Sequence, residues 1–155
     1  MVVCDIDGVV ADVRHRLHHV SGRRRDWDAF FAAADRDRPL SEGVALARRY
    51  ARQHRLVWLT GRPERLREVT RSWLEDNGLP VETLLMRPDH DRSPAVHFKP
   101  RQVAEVAADS RIVVVVDDDP SVIDALRSKG YRATLADWVP RSASLRRAQG
   151  RKGRT

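Results

Sequence analysis

Four short polar clusters stand at the ends of apolar runs: Asp5-Ile6-Asp7-Gly8, Thr60-Gly61-Arg62, Lys99 and Asp117-Asp118. They supply carboxylates, one hydroxyl and one ammonium. Carboxylates brought together repel one another unless a cation sits among them. Oxygen ligands suit a hard ion, and Mg²⁺ takes one or two carboxylates together with water and substrate phosphate. Asp5, Asp7, Asp117 and Asp118 are therefore the candidate metal ligands. With Mg²⁺ and Lys99 offsetting negative charge, a phosphate ester can approach an anionic nucleophile. Asp5 then attacks phosphorus in line and forms an aspartyl-phosphate. Asp7 lies two residues on, facing the same side of an extended chain, and serves as acid and then base. The Thr60 hydroxyl and the Gly61 amide hold non-bridging phosphate oxygens. The expected catalytic set is thus Asp5, Asp7, Thr60 and Lys99.

Each cluster alone has an ordinary reading. Asp-x-Asp is often a solvated strand end, Thr-Gly a simple turn, a lysine a surface charge, and three aspartates before Pro120 a helix cap. Their order, each after an apolar run, favours the catalytic reading.

The elements that would position these residues follow from the apolar pattern. Near-continuous Val, Ile and Leu runs at residues 2–6, 55–59, 81–86 and 112–116, with a weaker one at 131–135, fit strands covered on both faces. Between them lie segments of helical period. Residues 64–77 place Leu66, Val69, Trp73 and Leu74 on one face and stop at Asn77-Gly78. A helix starting at Ser41-Glu42 carries Val44, Ala47 and Tyr50. Another has Pro120 in its first turn, carries Val122, Ile123 and Leu126, and closes at Gly130. A shorter helix is expected over 101–108, with Lys99 in the stretch ahead of the fourth strand. The alternation predicts an α/β fold: a doubly wound, Rossmann-like parallel sheet of about five strands with helices on both faces. In such sheets ligands bind outside the carboxyl ends of the strands, where the four clusters fall.

Residues 12–40 break the rhythm and read as a small insertion after the first strand, of the kind that shapes substrate access. His15, His18 and His19 lack the partners of a zinc site and read as surface or substrate-facing. Arg23, Arg24 and Arg25 read most simply as a solvated turn, with contact to a nucleic-acid backbone as the sharper reading, and Trp27, Phe30 and Phe31, behind an Asp26 cap, read as a small core rather than a base-stacking platform. Trp58 and Trp73 read as core, and Cys4 as a buried, inert thiol.

A chain of 155 residues fits one domain with a core of its own. The net charge of +7 is a property of residues 141–155, which hold six of the 29 basic residues and no acid, leaving 23 basic against 22 acidic residues elsewhere. We expect residues 1–140 to form the domain and 141–155 a disordered basic tail, either solubilising or a weak tether to a phosphate backbone. The longest apolar run, at 112–116, is far too short to span a membrane, and no signal peptide is visible. A single cysteine forms no internal disulfide and is compatible with the cytoplasm.

The four clusters resemble, in order over residues 2–138, the motifs of the haloacid dehalogenase (HAD) superfamily of phosphotransferases. Within it they are similar to the 3′-phosphatase domain of phage-type polynucleotide kinase–phosphatases. The resemblance implies Asp5 as nucleophile, Asp7 as acid/base and Asp117-Asp118 as the Mg²⁺ pair. It places Gly61, Arg62 and Arg87 at the substrate. Val9 departs from the pattern, standing where Thr or Ser is usual. The expected function is a Mg²⁺-dependent phosphomonoesterase removing 3′-phosphates from DNA or RNA ends. Because the chain starts a few residues before Asp5, a free-standing phosphatase or an excised domain is expected, with a kinase or ligase as partner in end repair. The enzymatic alternative is a nucleotidase or small-metabolite phosphatase. The non-enzymatic one is a nucleic-acid-binding domain working through its tail, which leaves the acidic clusters unexplained. A phospho-accepting receiver would need an aspartate where the third strand ends in Met86-Arg87-Pro88.

Overall fold

The computed structural model describes residues 1–21 and 24–140. Along the chain run β1 (Val2–Cys4), β2 (Ala11–Asp12), α1 (His18–Ser21), α2 (Trp27–Ala32), β3 (Arg38–Pro39), α3 (Ser41–Ala51), β4 (Leu56–Pro63), α4 (Arg67–Asp76), β5 (Thr83–Arg87), α5 (Ala95–Asp109), β6 (Val114–Asp117), α6 (Pro120–Ser128) and β7 (Ala133–Leu135). The five longer runs form one parallel sheet in the order β5-β4-β1-β6-β7, and β2 with β3 makes a small antiparallel ribbon. β1 is the central strand, with Val2 opposite Leu56 on one side and Val114 on the other.

Both faces of the sheet are apolar because the strands alternate valines and leucines. Val2, Cys4, Leu56, Trp58, Val114 and Val116 pack on one face with Val44 and Ala47 of α3 and Trp73 and Leu74 of α4. Val3, Val57, Leu59 and Val115 pack on the other with Phe98 and Val103 of α5 and Val122 and Leu126 of α6. Each fully buried side chain of this size contributes about 1.5–3 kcal/mol. The fold is therefore the doubly wound α/β sheet that the apolar pattern predicts.

Three local features differ from the sequence pattern. β4 does not stop at Leu59 but carries Thr60, Gly61 and Arg62 as buried strand residues, with a register shift against β5 between Leu59 and Pro63. Within the strand the Thr60 hydroxyl accepts from the Arg62 amide, and the Arg62 guanidinium is paired with Asp7 and Asp37. α5 runs from Ala95 with Pro100 inside it, so Lys99 sits on a helix rather than ahead of one. α4 starts at Arg67 after a 3₁₀ turn at Glu64–Leu66 and buries Thr70, Trp73 and Leu74. Val69 falls off that face and is exposed.

The insertion after β1 has its own small core of Val13, Val20, Trp27, Phe30 and Phe31, against which Leu66 packs from the main body. Asp26 caps α2 by accepting a hydrogen bond from the Ala29 amide at 2.8 Å. Arg24 is exposed and Arg25 half-buried, whereas Arg23 and the basic segment 141–155 lie outside the described residues. α3 sits directly on the segment leaving β1: a Cβ on Gly43 would lie 1.7 Å from the Val9 carbonyl oxygen. Among the described residues no helix is long and apolar enough to cross a membrane.

Candidate active site

The polar clusters meet at the carboxyl edge of the sheet. Asp5 is the first residue beyond β1, and its amide donates to the Val116 carbonyl at 2.9 Å. The chain then turns sharply at Gly8, whose φ of 77° suits glycine. A side chain there would also collide with Asp118, since a Cβ would lie 2.5 Å from its Oδ2. Gly8 thus lets Asp118, just beyond β6, lie close to the segment that follows Asp5.

Lys99 is the ammonium that holds this cluster together. Its Nζ lies 2.7 Å from Asp5 Oδ2 and donates to Asp117 Oδ2 at 2.6 Å, with all three side chains buried. Asp117 Oδ1 accepts from the Asp119 amide at 2.9 Å. Burial raises the Asp5 carboxyl well above the usual carboxylate range against the pull of Lys99, and Asp117, Asp118 and Asp7 add to the rise. Burial by itself would lower the Lys99 ammonium, yet Asp117 and Asp5 outweigh it and raise the group above its ordinary value. Burial also pushes the Cys4 thiol up, which fits an inert residue.

Asp5, Asp117 and Asp118 each offer a carboxylate oxygen within 4.8 Å of the others. Asp5 Oδ1 is buried and has no hydrogen-bond partner among the described residues. The all-oxygen donor set of Asp5, Asp117 and Asp118 fits a hard divalent cation such as Mg²⁺. Asp7 is not in that group. Its Oδ1 accepts from Arg16 Nη2 at 2.8 Å and from Arg62 Nε and Nη2 at 3.0 and 2.6 Å. Burial opposes ionisation of Asp7, but the two guanidiniums prevail and bring it to about 2.

Behind Asp7 lies a buried charge network. Asp37 Oδ2 accepts from Arg16 and Arg62, both at 2.7 Å, and its Oδ1 accepts from Arg16 Nε at 2.8 Å. His15 Nε2 is also 2.8 Å from Asp37 Oδ1. Arg16 and Arg62 are fully buried. Arg16 lies 4.2 Å over the Phe30 ring, which joins the insertion to the site. Burial raises the Asp37 carboxyl despite both arginines.

Arg16 and Asp37 were not among the expected residues. A signal for Arg16 exists in the sequence: it falls between Val13, Leu17 and Val20, on an apolar face rather than a polar one. No comparable signal marks Asp37.

Of the remaining expected residues, Thr60 is buried and its hydroxyl accepts from the Arg62 amide at 3.2 Å. Arg87 is buried at the end of β5. It donates through Nη1 to the Ser93 carbonyl at 2.6 Å and through Nε to the Gly61 carbonyl at 3.4 Å. Burial lowers it to about 10. Arg62 Nη1 and Arg87 Nη2 are buried donors without an acceptor among the described residues. The edge therefore combines a carboxylate with an open lone pair, an acid/base candidate beside it, and N–H donors suited to an anion with several oxygens.

A family model described as the polynucleotide kinase PNKP phosphatase domain matches residues 1–136. No curated protein matches the sequence. Among solved structures, a chain of the Pnkp1/Rnl/Hen1 complex aligns with a TM-score of 0.71 at 22% identity, covering 87% of this chain and 44% of that one. The class C acid phosphatase from Bacillus anthracis aligns with a TM-score of 0.65 at 18% identity, covering 86% of this chain and 64% of that one. At these identities the likeness is one of fold, and this chain spans less than half the length of the chain it matches in that complex.

Proposed function

The chain belongs to the family of polynucleotide kinase PNKP phosphatase domains, and on that premise we propose that this phosphatase removes 3′-phosphates from DNA or RNA ends with Mg²⁺ and an aspartyl-phosphate intermediate. The observation that carries the reading is the Asp5 carboxylate, with Oδ2 held by Lys99 and Oδ1 unpartnered. Lys99 fixes the carboxylate and leaves one oxygen for phosphorus.

Asp5, Asp117 and Asp118 would hold Mg²⁺, which would supply positive charge to offset the phosphate and the carboxylates. Asp5 Oδ1 forms the new bond to phosphorus as the ester P–O bond breaks. The leaving 3′-oxygen takes a proton from Asp7. Water then attacks the phosphorus, Asp7 takes a proton from it, and the Asp5–phosphorus bond breaks to give inorganic phosphate. Thr60, Gly61, Arg62 and Arg87 bind the non-bridging oxygens. For Asp7 to deliver a proton, the guanidinium of Arg62 must turn some of its charge from Asp7 to the phosphate. The unsatisfied Arg62 Nη1 favours that exchange.

The similar fold found in the Pnkp1/Rnl/Hen1 RNA repair complex supports a place for this chain in end repair beside a kinase or ligase. A buried free thiol at Cys4 suits a reducing compartment such as the cytoplasm.

The test is phosphate release, with Mg²⁺ and with EDTA, from four substrates: a 3′-phosphorylated oligonucleotide, its 5′-phosphorylated twin, a 3′-mononucleotide and an aryl phosphate. Preference for the 3′-phosphorylated oligonucleotide, lost in EDTA, is expected. Preference for the mononucleotide or the aryl ester would replace the polynucleotide substrate with a small metabolite, and full activity in EDTA would remove the metal.

A further inference from the structure

A groove of about 450 Å³ opens from Gly61 toward the insertion, a volume suited to a nucleotide-sized ligand. Arg87 lines it, joined by Arg65 from the turn after β4 and Arg92 from the segment after β5. The groove also holds two carboxylates, Asp28 and Asp89. Arg65 pairs with both, at 2.8 Å to Asp28 and 3.2 Å to Asp89. Arg92 is exposed and donates to a backbone carbonyl, that of Asp89, at 2.6 Å.

Two buried N–H groups on residues lining the groove have no acceptor among the described residues: Arg87 Nη2 and Trp27 Nε1. A buried donor left unpaired is unfavourable, so an acceptor oxygen that reaches either group from the groove is favoured. Three guanidiniums add the preference for an anion. Trp27 and Phe31 also line the groove, but each is 4% exposed within the insertion's core. Neither presents an open ring face for stacking, so the groove offers charge and N–H donors rather than a base platform.

Resting on the 3′-end reading above, we propose that this groove binds the internucleotide phosphodiester next to the terminal phosphate, through Arg65, Arg87 and Arg92, without reading the base. Gly61 and Arg87 belong both to the groove and to the set proposed for the terminal phosphate, so the strand passes directly from one to the other. The phosphodiester competes with Asp28 and Asp89 for Arg65.

The experiment compares kcat/KM for a 3′-phosphorylated dinucleotide, the same compound with a neutral methylphosphonate linkage, a 3′-mononucleotide and an aryl phosphate. The dinucleotide is expected to be preferred over the mononucleotide by about tenfold or more, in line with the worth of a charge-assisted contact. The methylphosphonate and the Arg92→Ala variant should each erase that preference, with kcat on the mononucleotide unchanged in the variant. Asp28→Asn, which removes one of the two carboxylates that compete for Arg65, should widen the preference several-fold. Base identity should leave it unaltered. A preference that survives both the neutral linkage and Arg92→Ala overturns the inference. Equal turnover of dinucleotide and mononucleotide overturns it while leaving the 3′-phosphatase reading in place. Turnover of the aryl phosphate alone overturns both.

Discussion

Asp5 sits where an ionised carboxylate is least comfortable: buried, next to Asp117 and Asp118, with one ammonium shared between two acids. Replacing it with the isosteric amide removes the nucleophile and the repulsion together. Asp5→Asn should lower turnover by about 10³-fold or more and at the same time raise the melting temperature, read by phosphate release and calorimetry on one preparation. Arg16 has the opposite character, because it spans Asp7 and Asp37 from inside the protein. Arg16→Met leaves Asp37 with less compensation and should cost about 3–5 kcal/mol in urea unfolding, together with a loss of kcat. Arg16→Lys should recover little, since an ammonium cannot make the forked contact to Asp37. These two residues also mark how far the site is legible in the sequence. Asp5, Lys99, Thr60 and Asp117 stand out because they interrupt or follow apolar runs. Arg16 is marked only by its apolar neighbours within an Arg- and His-rich stretch that otherwise reads as solvent-facing, and Asp37 lies among alternating charges that read the same way. Their burial is compensated by partners brought close only by the fold, such as Arg62 for Asp37.

At the scale of elements, α3 is positioned by the absence of a side chain. The Val9 carbonyl occupies the space where a Cβ of residue 43 would be, so α3 lies directly on the segment that follows Asp7. Gly43→Ala must push the helix off that segment. The expected loss is about 1–3 kcal/mol, seen as a lower urea midpoint with unchanged slope. A drop in kcat should accompany it, because Asp7 and Gly8 lead into the displaced segment. Element identity is well encoded by alternation of Val and Leu along the strands, but element ends are not. β4 continues through Arg62 because its guanidinium is paired with Asp7 and Asp37, partners far along the chain that no local pattern announces. α5 begins six residues before the expected start. Pro100 reads as a breaker from sequence, although this chain tolerates it in the early part of the helix. Val69 lies on the wrong side because α4 starts only at Arg67, and the buried face then runs through Thr70, Trp73 and Leu74.

For the whole molecule, charge is unevenly spread along the chain: the formal excess of +7 belongs almost entirely to residues 141–155. Truncation after Pro140 should leave turnover of an aryl phosphate unchanged while flattening the salt dependence of kcat/KM on an oligonucleotide. Each lost phosphate contact should reduce the slope of log affinity against log salt by about 0.7–0.9. The parallel order β5-β4-β1-β6-β7 has a different consequence, one of time. β1 is hydrogen-bonded on both sides, to β4 and to β6, and the second pairing joins Val2 to Val114 across most of the described chain. Closing so long a loop is entropically slow, and it precedes any reward from the contacts it makes. During synthesis β1 must therefore wait, unpaired on one side, until β6 has been made. The same closure brings Asp5 to Lys99 and Asp117, so recovery of turnover after dilution from denaturant coincides with completion of the sheet and no half-folded species is active.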